Sequence, residues 1–161
     1  MSRDGNRGRV AGLAVALGVG AALAGWAVAS PGPRLATSIL HLPCSTVACT
    51  VSADWYFPSG SNPQGLIYFQ HGALATSAMY SYAAATLAQQ TNSIVVAPTL
   101  PSFSTTDGYW LGGTQMQQVI ADLFLGDRAA LTASASAAAG HLIILPRRVV
   151  LVGRSEGGGL V

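Results

Sequence analysis

Charged residues are scarce in this chain of 161 residues: they make up 9% of the sequence, against about a quarter in ordinary soluble domains. Lysine is absent, so all eight basic residues are arginines. Three of these arginines lie within the first nine residues, and the formal charges beyond Ala29 balance. Because that remainder carries no basic patch, nucleic-acid binding has no electrostatic basis and is excluded.

Cysteine and histidine are also scarce, which limits metal chemistry. The two cysteines, Cys44 and Cys49, have no second pair, and the three histidines are scattered at His41, His71 and His141. No residue set therefore implies a metal or another cofactor. In an exported protein two cysteines so close together most often form a disulfide, and two reduced, buried thiols are the alternative.

The first 29 residues have the pattern of an export signal. Arginines at the start are followed by an apolar run from Val10 and by Ala27-Val28-Ala29, whose small residues are typical of a cleavage site. The alternative is an uncleaved membrane anchor over residues 10–29, since about 20 residues span a bilayer. We therefore expect a protein that is secreted or held at the cell envelope.

Prolines after the leader set the expected domain boundary. Pro31 and Pro33 end any helix and favour an extended chain. We therefore predict an extended linker over residues 30–43 and one domain over residues 44–161, with no boundary inside it.

Apolar patterning beyond this linker predicts four strands. Residues 51–57 alternate between apolar and polar side chains, as in a half-buried strand near a sheet edge. The runs at residues 66–69, 94–97 and 148–152 are apolar with little or no alternation, which is typical of parallel strands covered on both faces.

Two helical stretches separate the three apolar strands. In residues 76–90 the apolar side chains Met79, Ala83 and Leu87 recur at four-residue spacing and predict one buried face. The second stretch has an apolar face at Met116, Val119, Ile120 and Leu123, breaks or bends at Gly126-Asp127, continues through an alanine-rich segment and stops at Gly140. Alternating strands and helices predict an α/β, doubly wound domain with a mostly parallel sheet.

Gly153-Arg154-Ser155-Glu156-Gly157 directly follows the last predicted strand and has the form G-x-S-x-G. This pattern is typical of a nucleophile elbow, in which a strand turns sharply into a helix and glycines leave room for an exposed serine. Ser155 is then the candidate nucleophile. The alternative is an ordinary strand-to-helix turn, because short Gly/Ser motifs also arise by chance.

A second motif follows an earlier buried strand. Acyl transfer needs two N–H donors aimed at the oxygen that becomes negative. We expect one donor to be the amide of Glu156 and the other the amide of Ala73 or Leu74, in a loop that begins with His71 and Gly72. The carboxyl ends of parallel strands meet at one sheet edge, so the two motifs are predicted to lie together. A tight turn without function is the alternative for His71-Gly72.

With these motifs the chain resembles the N-terminal half of an α/β-hydrolase-fold protein, of the exported esterase or lipase-like kind found in actinobacteria. The resemblance covers roughly residues 50–161 and includes the segments WYFP, LIYFQHG, TLAQQ, IVVAPT and ADLFLGDRAALTASA. It implies that Ser155 attacks a small-molecule or lipid ester and forms an acyl-enzyme. Two residues depart from the family pattern: Arg154 stands where histidine is common, and Glu156 stands where a small residue is common. A carboxylate at Glu156 would oppose negative charge in the oxyanion hole.

The chain departs most from the family pattern in the acid and the histidine that would complete a catalytic triad with Ser155. In that family the acid and the histidine follow the serine, whereas all three histidines here precede Ser155. We therefore expect a partial domain, truncated after the elbow, that is inactive or weakly active alone. The non-enzymatic alternative is an envelope-associated remnant or binding module, whose exposed sheet edge pairs with another chain.

Overall fold

The computed structural model describes residues 31–45 and 49–161, so the predicted leader lies outside the described part. The elements in chain order are β1 (Arg34–Leu42), β2 (Cys49–Phe57), β3 (Leu66–Gln70), α1 (Ser81–Gln90), β4 (Ile94–Pro98), α2 (Thr114–Asp122), α3 (Ala129–Ala139), β5 (Val149–Gly153) and α4 (Glu156–Leu160). A 3₁₀ turn over Ser77–Tyr80 precedes α1. Within the described ranges, no helix combines the length and the apolar character needed to cross a membrane.

The strands form one mixed sheet in the order β1-β2-β4-β3-β5. Strands β3, β4 and β5 are parallel, as predicted, whereas β1 pairs antiparallel with β2 and β2 pairs antiparallel with β4. The connections between the parallel strands contain helices, which provide the length that a parallel crossover needs. The short connection from β1 to β2 allows an antiparallel hairpin instead. The sheet is therefore less parallel than the sequence pattern predicts.

Residues 34–42, predicted as a linker, form strand β1 and pair with β2 along their whole length. Leu40 is fully buried, and the Ser38 hydroxyl donates to the Ser134 carbonyl of α3 at 2.8 Å. The linker prediction is corrected: this segment belongs to the domain. Its alternation is hard to see in the sequence because outward positions such as Ile39 are apolar as well.

Helices cover both faces of the sheet. Helices α2 and α3 lie over a core that includes Trp55, Tyr68 and Leu131. Helix α1 covers the opposite face around Phe69 and Val95. This two-sided covering confirms the predicted α/β class.

The helix predictions are confirmed in α2 and partly wrong in α1. The four predicted core residues of the second stretch are all buried: Met116, Val119, Ile120 and Leu123. In α1 the buried positions are Ala84 and Ala88, and Met79 is 70% exposed. The prediction places Met79 on the same α-helical face as Ala83 and Leu87. Met79 instead lies in the 3₁₀ turn, which has three residues per turn, so its side chain points in a different direction. Gly140, with φ of 76°, ends α3 as predicted.

Cys44 and Cys49 form a disulfide that joins the region after β1 to the first residue of β2. Their Cα atoms are 5.9 Å apart. The bond closes the β1–β2 connection, so the alternative of two reduced thiols does not apply to this structure.

Candidate active site

Ser155 lies in the turn between β5 and α4, with φ of 54° and ψ of −124°. A non-glycine residue in such a conformation costs about 1–3 kcal/mol and persists where the surrounding structure fixes it. Two backbone hydrogen bonds fix this turn: the Gly157 amide donates to the Arg154 carbonyl at 3.0 Å, and the Gly158 amide donates to the Ser155 carbonyl at 2.8 Å. The serine itself is exposed. A strained backbone therefore presents the Ser155 side chain at the end of β5.

The two glycines of the G-x-S-x-G motif are required by the available space. A Cβ on Gly153 would overlap the carbonyl group of Gly157, and a Cβ on Gly157 would overlap the carbonyl oxygen of His71. The start of α4 approaches the ends of β3 and β5 so closely that no side chain fits at these two positions. This close approach is the physical reason for glycine on each side of Ser155.

The loop after β3 meets this turn at the same edge of the sheet. Gln70 is the parallel partner of Gly153, and its carbonyl accepts a hydrogen bond from the Arg154 amide at 3.1 Å. A Cβ on Gly72 would stand 3.0 Å from the Arg154 carbonyl oxygen and 3.2 Å from the Ser155 Cβ. The two motifs, far apart in sequence, therefore lie in contact.

His71 is a structural anchor in this loop. The ring is 1% exposed, its Nε2 accepts a hydrogen bond from the Leu100 amide at 2.9 Å, and its Nδ1 is 2.7 Å from the Gly72 carbonyl oxygen. Because an amide can only donate, Nε2 is unprotonated and Nδ1 carries the hydrogen that the Gly72 carbonyl accepts. Both nitrogens are occupied by backbone groups, so the ring has no free nitrogen to accept a proton from Ser155.

The three candidate oxyanion donors differ in their hydrogen bonding. The Leu74 amide donates to the Ser102 Oγ at 3.0 Å, and Leu74 has φ of 57°. The amides of Ala73 and Glu156 donate no hydrogen bond within residues 31–45 and 49–161. The hydrogen bonding therefore favours Ala73 and Glu156 as the two candidates whose amides are free to donate.

The carboxylate of Glu156 faces the loop between β4 and α2. A Cβ on Gly112 would be 2.6 Å from Glu156 Oε1 and 2.6 Å from a ring carbon of Trp110. Glu156 is half-buried against this loop, whereas Arg154 is exposed. The carboxylate of Glu156 thus contacts the loop between β4 and α2.

Two residues that sequence reasoning missed also lie at this edge. The Tyr80 hydroxyl is 3.6 Å from the position that a Cβ would take on Gly72, and Ser102 holds the Leu74 amide. Neither residue belongs to a recognisable motif. They reach the site because the 3₁₀ turn and the chain after β4 both leave the same end of the sheet as the loop after β3.

The other histidines and acids lie elsewhere. His41 is exposed on β1, and the ring of His141, after α3, is 3.2 Å from the Ala139 carbonyl oxygen. Hydrogen bonds from the Thr105 side chain and the Tyr109 amide lower the pKa of the Asp107 carboxyl, which stabilises a surface loop. Among the described residues, no cluster of three or more His, Cys, Asp or Glu side chains could hold a metal ion.

The sequence matches no protein-family model and no curated protein. Solved structures do match. A bacterial heroin esterase aligns with a TM-score of 0.56 and 16% identity over 84% of this chain and 39% of its own. A hyperthermophilic esterase from the archaeon Pyrobaculum calidifontis aligns with a TM-score of 0.52 and 14% identity over 82% of this chain and 38% of its own. An arylesterase aligns with a TM-score of 0.50 and 17% identity over 78% of this chain and 38% of its own.

Identities this low show the fold alone. This chain spans less than two fifths of the length of each of these esterases. Over that part, the chain has the α/β-hydrolase fold.

Proposed function

We propose that this chain carries the nucleophile and the oxyanion loop of an exported serine hydrolase that cleaves carboxylic or lipid esters. The observation that carries the proposal is the backbone of Ser155, with φ of 54° and ψ of −124°, in a turn where Gly153 and Gly157 admit no side chain. Strain of this kind is retained at functional sites, where it exposes a reacting group. The esterases among the matched structures support an ester as the substrate.

The proposed reaction begins with attack of Ser155 Oγ on the ester carbonyl carbon. The carbonyl oxygen becomes negative in the tetrahedral intermediate, and the amides of Ala73 and Glu156 donate hydrogen bonds to it. Loss of the alcohol leaves the acyl group on Ser155, and water then releases the acid. The part of the site described here supplies the nucleophile and the electrostatic stabilisation.

None of the three histidines is placed to act as the general base for Ser155. Backbone groups occupy both nitrogens of His71, His41 lies on the opposite edge strand, and the His141 ring contacts the Ala139 carbonyl. An oxyanion hole without a working triad retains about 10³- to 10⁴-fold acceleration over water, far below a complete enzyme. We therefore propose that residues 1–161 alone act weakly.

Export is the second part of the proposal. The leader over residues 1–29 motivates it, and the Cys44–Cys49 disulfide supports it because disulfides persist in oxidising compartments. Cleavage after Ala29 would leave Ser30 as the first residue of the exported protein. Mass spectrometry of the protein from culture medium and envelope tests this; an intact leader would favour the uncleaved anchor over residues 10–29.

A fluorophosphonate probe tests the proposed nucleophile, because such probes modify nucleophilic serines; with no histidine placed as a base, we expect the reaction to be slow. We expect labelling of the purified, folded protein at Ser155, identified by peptide mass. Ser155→Ala should lose the label, whereas Ser104→Ala, which changes an exposed loop serine, should keep it. Absence of labelling in protein with cooperative thermal unfolding would reject the hydrolase proposal.

A binding module is the second candidate, favoured by the exposure of β5. Within the described sheet β5 is an edge strand, and its Val150 and Leu151 side chains are 42% and 44% exposed. An unpaired apolar edge invites pairing with another chain. Light scattering after size exclusion tests this: assembly that Leu151→Lys disperses would support the module, and a monomer with a sharp melting transition would count against it.

A further inference from the structure

The hydroxyl of Tyr80 lies at the candidate site and has no hydrogen-bond partner in the described part of the chain. Its oxygen is 3.6 Å from the position of a Cβ on Gly72, and the Ser155 Cβ is 3.2 Å from the same position. The absent side chain of Gly72 therefore leaves a gap that both residues border. A carbonyl oxygen bound beside Ser155 would occupy this neighbourhood.

Packing holds the Tyr80 ring in place. Tyr80 is the last residue of the 3₁₀ turn, and its ring packs on Phe69 of β3 with centroids 5.6 Å apart and planes at 46°. Phe69 is itself buried in the sheet. Because packing on Phe69 holds the ring in place, the Tyr80 hydroxyl needs little reorganisation to donate a hydrogen bond. Donors that are already in position are what electrostatic stabilisation of a transition state requires.

The backbone alone supplies few donors here. The Leu74 amide is occupied by Ser102 Oγ, which leaves the amides of Ala73 and Glu156. The Glu156 amide belongs to a residue that itself carries a carboxylate, and a carboxylate disfavours negative charge nearby. A neutral donor from a third residue would offset part of this disadvantage.

We propose that Tyr80 is a catalytic residue whose hydroxyl donates a hydrogen bond to the oxyanion formed at Ser155, as a third donor beside the two amides. This inference rests on the proposed function. In that step the Oγ–C bond forms, the carbonyl π electrons move to oxygen, and the Ser155 proton leaves to a water molecule acting as base. Tyr80 keeps its proton throughout and shares it with the negative oxygen.

Tyr80→Phe removes the hydroxyl and keeps the ring that packs on Phe69. Tyr82→Phe is the matched control, because Tyr82 lies two residues later and is 85% exposed. The measurement is the rate constant for fluorophosphonate modification of Ser155, followed by intact mass, since the phosphonyl oxygen takes the place of the oxyanion. Melting temperatures of both variants establish that they are folded.

We expect Tyr80→Phe to slow the modification about 100-fold, the loss typical of one oxyanion donor, and Tyr82→Phe to react like wild type. Equal rates for wild type and folded Tyr80→Phe would overturn the role of Tyr80 and leave the proposed function intact. A folded wild-type protein that is never modified at Ser155 would overturn both. Loss of rate in Tyr82→Phe as well would also reject a specific role for Tyr80.

Discussion

Gly72 lies directly against Ser155: a methyl group on Gly72 would stand 3.2 Å from the Ser155 Cβ and 3.0 Å from the Arg154 carbonyl oxygen. The two residues come from loops that leave neighbouring parallel strands, β3 and β5, at the same edge of the sheet. The candidate nucleophile and its candidate oxyanion loop are therefore brought together by strand order. This placement follows the general rule that open α/β sheets build their sites at the carboxyl ends of strands.

Gly72→Ala should narrow the gap beside Ser155. The new methyl would be in tighter contact than usual with the Arg154 carbonyl, so we expect a stability loss of about 1 kcal/mol and slower fluorophosphonate labelling. Urea unfolding and labelling rates measure the two effects. Gly32→Ala is the control, because a methyl there meets none of the described residues within 4 Å. Wild-type stability and labelling in Gly72→Ala would contradict the close approach.

Gly157→Ala and Gly159→Ala form a matched pair within α4. A Cβ on Gly157 would overlap the His71 carbonyl oxygen, whereas a Cβ on Gly159 meets nothing within 4 Å in the part of the chain that the structure describes. We expect the first change to lower the free energy of unfolding by about 3 kcal/mol. The second should raise it by about 0.5 kcal/mol, because alanine favours a helix over glycine. Similar urea midpoints for the two variants would be inconsistent with this turn.

His71→Ala should destabilise the protein, because the Leu100 amide would lose its buried acceptor. Leaving one buried donor unpaired costs about 1–3 kcal/mol. His41→Ala, an exposed change on β1, should be close to neutral and serves as the control. If His71→Ala kept full stability and lost Ser155 labelling, His71 would have a chemical role that its hydrogen bonds here do not allow.

The phenol of Tyr56 should contribute to a fall in stability at alkaline pH. Burial, and secondly the charge of Asp54, raise the pKa of Tyr56 to about 12, whereas an unfolded tyrosine ionises near pH 10. The unfolded chain therefore loses this proton first, and stability decreases as pH rises from about 10 towards 12. Burial also raises the pKa of Tyr68, which adds to the decrease.

Tyr56→Phe should make this alkaline decrease less steep, measured by urea unfolding at a series of pH values. At neutral pH it should cost little stability, because the buried Tyr56 hydroxyl has no hydrogen-bond partner among the described residues. Tyr82→Phe, at an exposed position, should leave the pH dependence unchanged. An unchanged slope in Tyr56→Phe would show that Tyr56 is not the group that titrates.

The sequence predicts the parallel half of this fold well, since it depends on short-range patterns. The fully apolar runs that become β3 and β4 bury every residue, and the apolar positions of α2 have an unmistakable helical period. The G-x-S-x-G motif is recognisable in the sequence as well: the contact that excludes a side chain at Gly153 is with the nearby Gly157, whereas the contact at Gly157 is with the distant His71 carbonyl. Such features can be recognised without knowledge of the tertiary structure.

The features that the sequence did not predict depend on tertiary contacts. Strand β1 has apolar residues on both faces, so its role becomes clear through its pairing with β2 and its contact with α3. The orientation of Met79 depends on a 3₁₀ turn that no residue pattern predicts. The position of Tyr80 beside Gly72 and the occupation of the Leu74 amide by Ser102 likewise follow from where separate loops meet.

A crystal structure of the protein after reaction with a fluorophosphonate most directly tests Ser155 as a nucleophile beside two amide donors. We expect a phosphonyl group on Ser155 Oγ, with its oxygen about 2.7–3.1 Å from the amide nitrogens of Ala73 and Glu156. An adduct on another residue would contradict a nucleophilic Ser155. So would a phosphonyl oxygen on Ser155 that points away from Gly72 and contacts neither amide.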